Sequence, residues 1–200
     1  MDNKDFKKQD MDILKAIKEN QRQKRLKDKE ESKKESEVFI EGDLYDFVDG
    51  YFYEDRLYMK IPKDFVDMAK EIKDIKYPYI DRPEIIKTDK NSEIDITFKI
   101  IDQDITEDRV HELTLGMKTM LKRMNPSNLI LSEGLKNINS KNIGFLEMKT
   151  TAIDGYIYNL IFFMVFEGKV LMGKVACLYD KHKIWKDLGF MMMDSVKVLY

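Results

Sequence analysis

Residues 156–166 read YIYNLIFFMVF. Taken as a strand, Tyr156, Tyr158, Leu160, Phe162, Met164 and Phe166 point one way, and Ile157, Ile161, Phe163 and Val165 the other, with Asn159 the one polar interruption. Side chains alternate along a strand, so a strand apolar on both sides is one that is covered on both sides. This segment is expected at the centre of a sheet. Asp154-Gly155 before it and Glu167-Gly168 after it are tight-turn pairs, because glycine accepts the positive φ that joins antiparallel strands. Val170–Leu178 downstream, with Leu129–Leu135 and Ile143–Thr150 upstream, read as further strands of the same sheet.

Working outward, residues 93–101, EIDITFKII, alternate Ile94, Ile96, Phe98 and Ile100 with Asp95, Thr97 and Lys99, the pattern of a half-buried strand. Thr106 stands where it would cap a following helix, with Glu107 and Asp108 favourable to the helix dipole. Val110, Leu113, Met117, Met120, Leu121 and Met124 form that helix's apolar stripe, which Asn125-Pro126 ends. Residues 38–62 read as strands with turns at 41–43 and 54–56. Pro62 is expected to open a helix carrying Phe65, Met68, Ala69 and Ile72 on one face, broken at Tyr77-Pro78 and Arg82-Pro83. A last helix from about Lys183 buries Ile184, Trp185, Leu188, Met191, Met192, Ser195 and Val196. The class is α+β: an antiparallel sheet of six to seven strands with helices packed on it.

Composition changes near residue 37. Residues 1–36 have no Pro or Gly and carry a net charge of +3, whereas the rest is net acidic. Phe6, Ile13, Leu14 and Ile17 fall near one face of a helical reading of this extension. It is expected to be a solvated helix or tail, or an arm whose short apolar face docks on another chain. The domains are therefore 1–36, a charged helical extension, and 37–200, the globular domain.

Several motifs in the globular part resemble a known group. Ile61-Pro62-Lys63-Asp64-Phe65 with Met68 resembles the IPxxFxxM opening of the first helix of PsbP/DcrB-like proteins. Tyr77-Pro78, Arg82-Pro83, Ile86 and Thr88 resemble their YPxxxRPxxIxT segment, and residues 154–159, DGYIYN, their DGxIYN hairpin. Gly173, Cys177 and Trp185 match the last strand and helix. The resemblance spans about residues 55–197, is nearest to members from low-GC Gram-positive bacteria, and extends distantly to Eag-type secretion chaperones. It implies an α/β/α sandwich with helices on both faces of a central antiparallel sheet. It also implies a binding module without a shared catalytic motif.

The chemistry-bearing residues do not assemble into a motif. His111 and His182 have no HExxH or HxH context. Asp102, Asp104 and Thr106 begin like a calcium loop, but Glu107 stands where the turn needs glycine and Leu113 where a bidentate Glu is needed. No GxxxxGK[ST], GxGxxG or GxSxG occurs. Cys177 lies in the apolar run VACL and reads as a core residue. No catalytic residue, metal site or cofactor is expected, and the chain reads as a non-enzyme.

The remaining signals concern partners. The formal net charge is −2 and the longest apolar run, Leu160–Phe166, is far shorter than a bilayer span. Neither nucleic acid nor a membrane span is expected, and a single cysteine fits the cytoplasm. Thirteen methionines read first as core fillers and second as an adaptable binding surface, since methionine repacks easily. Tyr51 and Tyr53 are candidates to line a groove, and Arg82 to hold a carboxylate or to form a structural ion pair. With Phe6, Ile13, Leu14 and Ile17 they form the expected partner-binding set. The expected function is a protein-interaction module, a cytosolic chaperone or adaptor for a secreted or membrane-active protein. Toxin neutralisation and a structural subunit of a larger assembly, including a homo-oligomer, are the alternatives.

Overall fold

The computed structural model describes residues 37–40, 43–152 and 155–199. The chain divides into two compact units, 1–47 and 48–200. In the first, β1 (Glu37–Ile40) pairs antiparallel with the opening of β2 (Asp43–Phe52), placing Phe39 opposite Leu44. The extension over 1–36, with Phe6, Ile13, Leu14 and Ile17, lies outside the described residues.

The second unit is built on a seven-stranded sheet. Its strands are β4 (Val66–Asp67), β5 (Ile85–Thr88), β6 (Ile94–Asp104), β7 (Leu129–Ile138), β8 (Lys141–Ala152), β9 (Gly155–Phe166) and β10 (Lys169–Leu178). They run in the order β4-β5-β6-β10-β9-β8-β7, every pairing antiparallel. The end of β2 lies beside β3 (Leu57–Pro62), with which β11 (Lys197–Val198) pairs antiparallel. Three helices complete the unit: α1 (Lys70–Lys76), α2 (Val110–Met124) and α3 (His182–Asp194).

The expectation for residues 156–166 is met: β9 is interior, and Tyr158 through Phe166 are all buried. Each large apolar side chain so buried contributes roughly 1.5–3 kcal/mol. The Glu167-Gly168 turn takes φ of 52° and 79°, as a two-residue hairpin connection requires. Opposite β9, Gly173 lies under the ring of Phe162, where a Cβ would stand 2.1 Å from ring carbon.

Residues of β9 with odd numbers face α2. Ile161, Phe163 and Val165 cluster there with Leu146, Met148, Val170, Ile105 and Val110, and Leu113, Met117 and Leu121 pack onto them. Even-numbered residues face α3, whose Gly189 lies 3.2 Å from Leu160 and 3.7 Å from Val175 by its would-be Cβ. Trp185 of α3 meets Phe65, and Phe190 meets Phe145 edge-on. Helices do not form this layer alone: Phe52 at the end of β2 packs at a tilt on Phe98, and Ser195 after α3 accepts the N–H of Lys60 in β3 at 2.9 Å. The end of β2 and β3 share the even face with α3, so the sandwich of helix, sheet and helix expected from the sequence is seen only in part.

Four local expectations are corrected. No helix opens at Pro62. Pro62 ends β3, its carbonyl accepts from Phe65 N–H at 3.1 Å, and Met68 N–H donates to Ile86 at 3.0 Å, so pairing with β5 outcompetes helix formation. The helix begins at Lys70 and buries none of its residues; Phe65 and Met68 are buried from the loop, while Ile72 is exposed. Second, β6 is buried on both sides over Ile94–Phe98, because Asp95 and Thr97 are covered rather than solvated. Third, Thr106 caps through its backbone, not its hydroxyl, and precedes a 3₁₀ turn at Glu107–Arg109. Fourth, Met120 and Met124 leave the buried side of α2, and Thr114, 1% exposed, takes an inward place.

Candidate binding groove

The position of α2 creates the site. Thr114 donates its hydroxyl to the Val110 carbonyl at 2.8 Å, and the same side chain rests on Gly144 of β8. A Cβ at Gly144 would come within 1.8 Å of Thr114 Oγ1, so glycine there lets the helix approach the sheet. This contact holds α2 over β8 and β9. The sheet continues beyond the helix to β10 and β6, where Met172 and Ile101 are only partly buried.

A groove of about 750 Å³ opens along the free side of α2. Its helical wall is Leu113, Gly116, Met117 and Met120; its other side is the β6 end around Ile105 and the Gly168 turn. Ile105 N–H donates to the Gly168 carbonyl at 2.9 Å, fixing that wall to the hairpin. Gly116 has open space where a Cβ would sit. The groove's rim is charged. Arg109 Nε donates to Glu112 at 2.6 Å, and Lys169 Nζ bridges Asp102 at 2.7 Å and Asp104 at 2.8 Å. Lys169 holds the Asp102 carboxyl below the ordinary carboxylate range, and the two aspartates raise the Lys169 amine in turn. The residues that began like a calcium loop therefore hold a lysine. Among the described residues no group of three or more His, Cys, Asp or Glu is placed to hold a metal ion.

The other residues singled out from the sequence lie apart from this groove. Tyr51 is 53% exposed on β2 and meets Tyr58 edge-on. Tyr53 is in the β2–β3 turn at φ 52°, packs on Phe166 and donates to Glu84 at 3.1 Å. Arg82 Nη1 bonds Asp74 at 2.6 Å, so its structural partner is Asp74; Asp81 pairs instead with Lys99. His182 stacks on Tyr179 with ring centroids 4.2 Å apart, and His111 is exposed on α2. Cys177 is a core residue as read, its thiol pushed up to about 12 by burial first and Asp180 second. Met192 and Met193 are core, whereas Met117 and Met120 line the groove. The sequence pattern puts both of these on one buried stripe; the signal it carries for the groove is Gly116 itself, a glycine inside an amphipathic helix.

No family model and no curated protein matches the chain. Solved structures do. Cyanobacterial PsbP (CyanoP) from Synechocystis sp. PCC 6803 superposes with a TM-score of 0.56 at 10% identity, covering 81% of this chain and 98% of that one. LpqN of Mycobacterium tuberculosis, involved in cell envelope biogenesis, gives 0.46 at 14% identity over 82% of this chain and 91% of its own. A Pseudomonas aeruginosa protein of unknown function gives 0.41 at 9% identity over 77% and 97%. The chain has the PsbP-like α+β fold. Among the described residues no helix is long and apolar enough to cross a membrane.

Proposed function

We propose that this chain is a non-enzymatic protein-interaction module that holds an apolar segment of a partner protein in the groove beside α2. One observation carries the reading: Leu113, Met117, Met120 and Ile105 line an open groove of about 750 Å³ whose helical wall contains a glycine with no neighbour of its own. A mid-helix glycine costs roughly 1 kcal/mol relative to alanine. Space left at Gly116 admits a partner's side chain close to the helix backbone. Unbranched methionines let such a wall repack around different apolar residues.

A cytosolic chaperone or adaptor for a secreted or membrane-active protein is the role this geometry suits best, since such partners expose apolar segments before they reach their destination. Cytoplasmic residence belongs to the same proposal and is supported by the lone thiol. The test is co-purification from the native cell with the full chain and with Gly116→Trp, which fills the groove from a position where nothing clashes. A specific partner recovered with the native chain and lost with Gly116→Trp supports the reading. The same partner recovered equally with both proteins removes the groove from it.

A further inference from the structure

A second site lies further along the α2 face of the sheet. The knot that closes one side of it is made by Asp95, 4% exposed at the start of β6. Its carboxylate accepts from Lys76 Nζ at 2.6 Å, Tyr77 Oη at 3.0 Å and Thr88 Oγ1 at 2.8 Å. Lys76 also donates to the Ser92 carbonyl at 2.7 Å. These bonds fix the end of α1 over the sheet and leave a pocket of about 280 Å³. Asn159, Lys174 and Ala176 form its floor on β9 and β10, and Ile157, Leu178 and the Tyr77 ring supply its apolar sides.

Lys174 is the residue that needs explaining. It stands on β10, an interior strand, in register between Thr97 of β6 and Ile161 of β9. Its ammonium lies 5.3 Å from the centre of the Tyr77 ring. No carboxylate or carbonyl among the described residues accepts a hydrogen bond from it, because Lys76 already occupies Asp95 on that side. Lys174 is half-buried, and a charge partly withdrawn from water without a hydrogen-bond partner is unfavourable. Burial accordingly pushes the Lys174 amine down, against the pull of Asp95 and with the help of Lys76. Lys174 lines the pocket, and the Tyr77 ring is the contact that its ammonium makes there.

We propose that this pocket binds a small monocarboxylate whose anionic group pairs with Lys174 Nζ and whose short apolar chain lies against Ile157, Leu178 and Tyr77. The pocket is at the lower end of ligand-site volumes, which suits a small molecule. Asp95 and Glu93 border it but are paired with Lys76 and Lys181, which leaves the single ammonium of Lys174 to meet one anionic group. Asn159 donates to Thr150 at 3.1 Å and holds the floor in place. This site is separate from the groove beside α2 and stands or falls independently of it.

The experiment is an NMR titration of the full chain with butyrate, and in parallel with inorganic phosphate. Butyrate is expected to shift the Lys174, Tyr77 and Asn159 signals saturably, phosphate not. Lys174→Gln is expected to weaken butyrate binding about tenfold, the equivalent of one charge-assisted hydrogen bond, and Lys174→Arg to keep most of it. If Lys174→Gln does not fold, the butyrate and phosphate titrations of the native chain decide. No saturable shift with butyrate overturns the proposal, as does phosphate binding as well as butyrate. Unchanged butyrate affinity in Lys174→Gln also overturns it.

Discussion

At the scale of single residues, two glycines of the PsbP-like domain have opposite reasons to exist. Gly144 has no room for a methyl group, because Thr114 stands 1.8 Å from its would-be Cβ. Gly116 has nothing within 4 Å. At Gly116, then, no packing opposes the ordinary helix preference. Gly116→Ala is expected to raise stability by about 0.5–1 kcal/mol, read as an upward shift of the urea midpoint with an unchanged slope. A loss of stability there would show that the free side of α2 is already packed, and the groove would not be open. Thr114 and Gly116 are not distinguishable from sequence pattern alone. Thr114 is a polar residue between Leu113 and Leu115, and its inward place depends on a glycine thirty residues downstream in the chain.

At the scale of elements, α2 is positioned by one close contact rather than by its stripe as a whole. Val110 and Thr114 are its fully buried residues, and Met120 and Met124 at its far end are exposed. Gly144→Ala is therefore expected to lift the first turns of α2 from β8, destabilising the domain by about 1–3 kcal/mol as overpacking does. Thr114→Ala, which removes the hydroxyl oxygen that makes the closest approach to this position, should recover part of that loss in the double variant. A strictly additive double variant, measured by denaturant unfolding, would show that the two positions do not share a contact. The strands were legible in the sequence because their pattern is local: β9 announces itself by apolar residues on both sides, and the turn Glu167-Gly168 by its composition. The segment after Pro62 was not, since the same residues fit a helical stripe. What decides it is Met68 N–H reaching Ile86 and Val66 pairing with Thr88, partners that a periodicity over twelve residues does not contain. The groove was half legible for the same reason. Its methionines were visible, but which of them the sheet would cover depends on how far α2 reaches across it.

At the scale of the whole molecule, the ionisable groups set how the fold responds to pH. Tyr53, Tyr58, Tyr77 and Tyr158 all have hydroxyls pushed above the ordinary phenol value, Tyr58 to about 12. Burial is the first cause in each, and a carboxylate is the next: Glu84, Asp49, Asp95 and Glu147 in turn. A phenol that keeps its proton longer in the folded chain than in the unfolded one favours folding fully below the unfolded value, near pH 10. That contribution declines as pH rises through the folded values. The Cys177 thiol has the same sign from about pH 9 to 12. Lys174 has the opposite sign: its amine is pushed down, so neutralising it relieves a penalty as pH rises, but it stands against these five groups and against Lys169 and Lys181, whose amines their carboxylate partners raise. The net expectation is a domain that loses stability steadily above pH 10. Four of its ten tyrosines should resist ionisation until the fold opens. Absorbance titration of the phenolates, followed beside circular dichroism, checks this. The late-ionising phenols should appear together with loss of the sheet signal. If all ten ionised as a single population near pH 10 with the sheet intact, the carboxylate-bordered burial of these four hydroxyls would not describe the protein in solution.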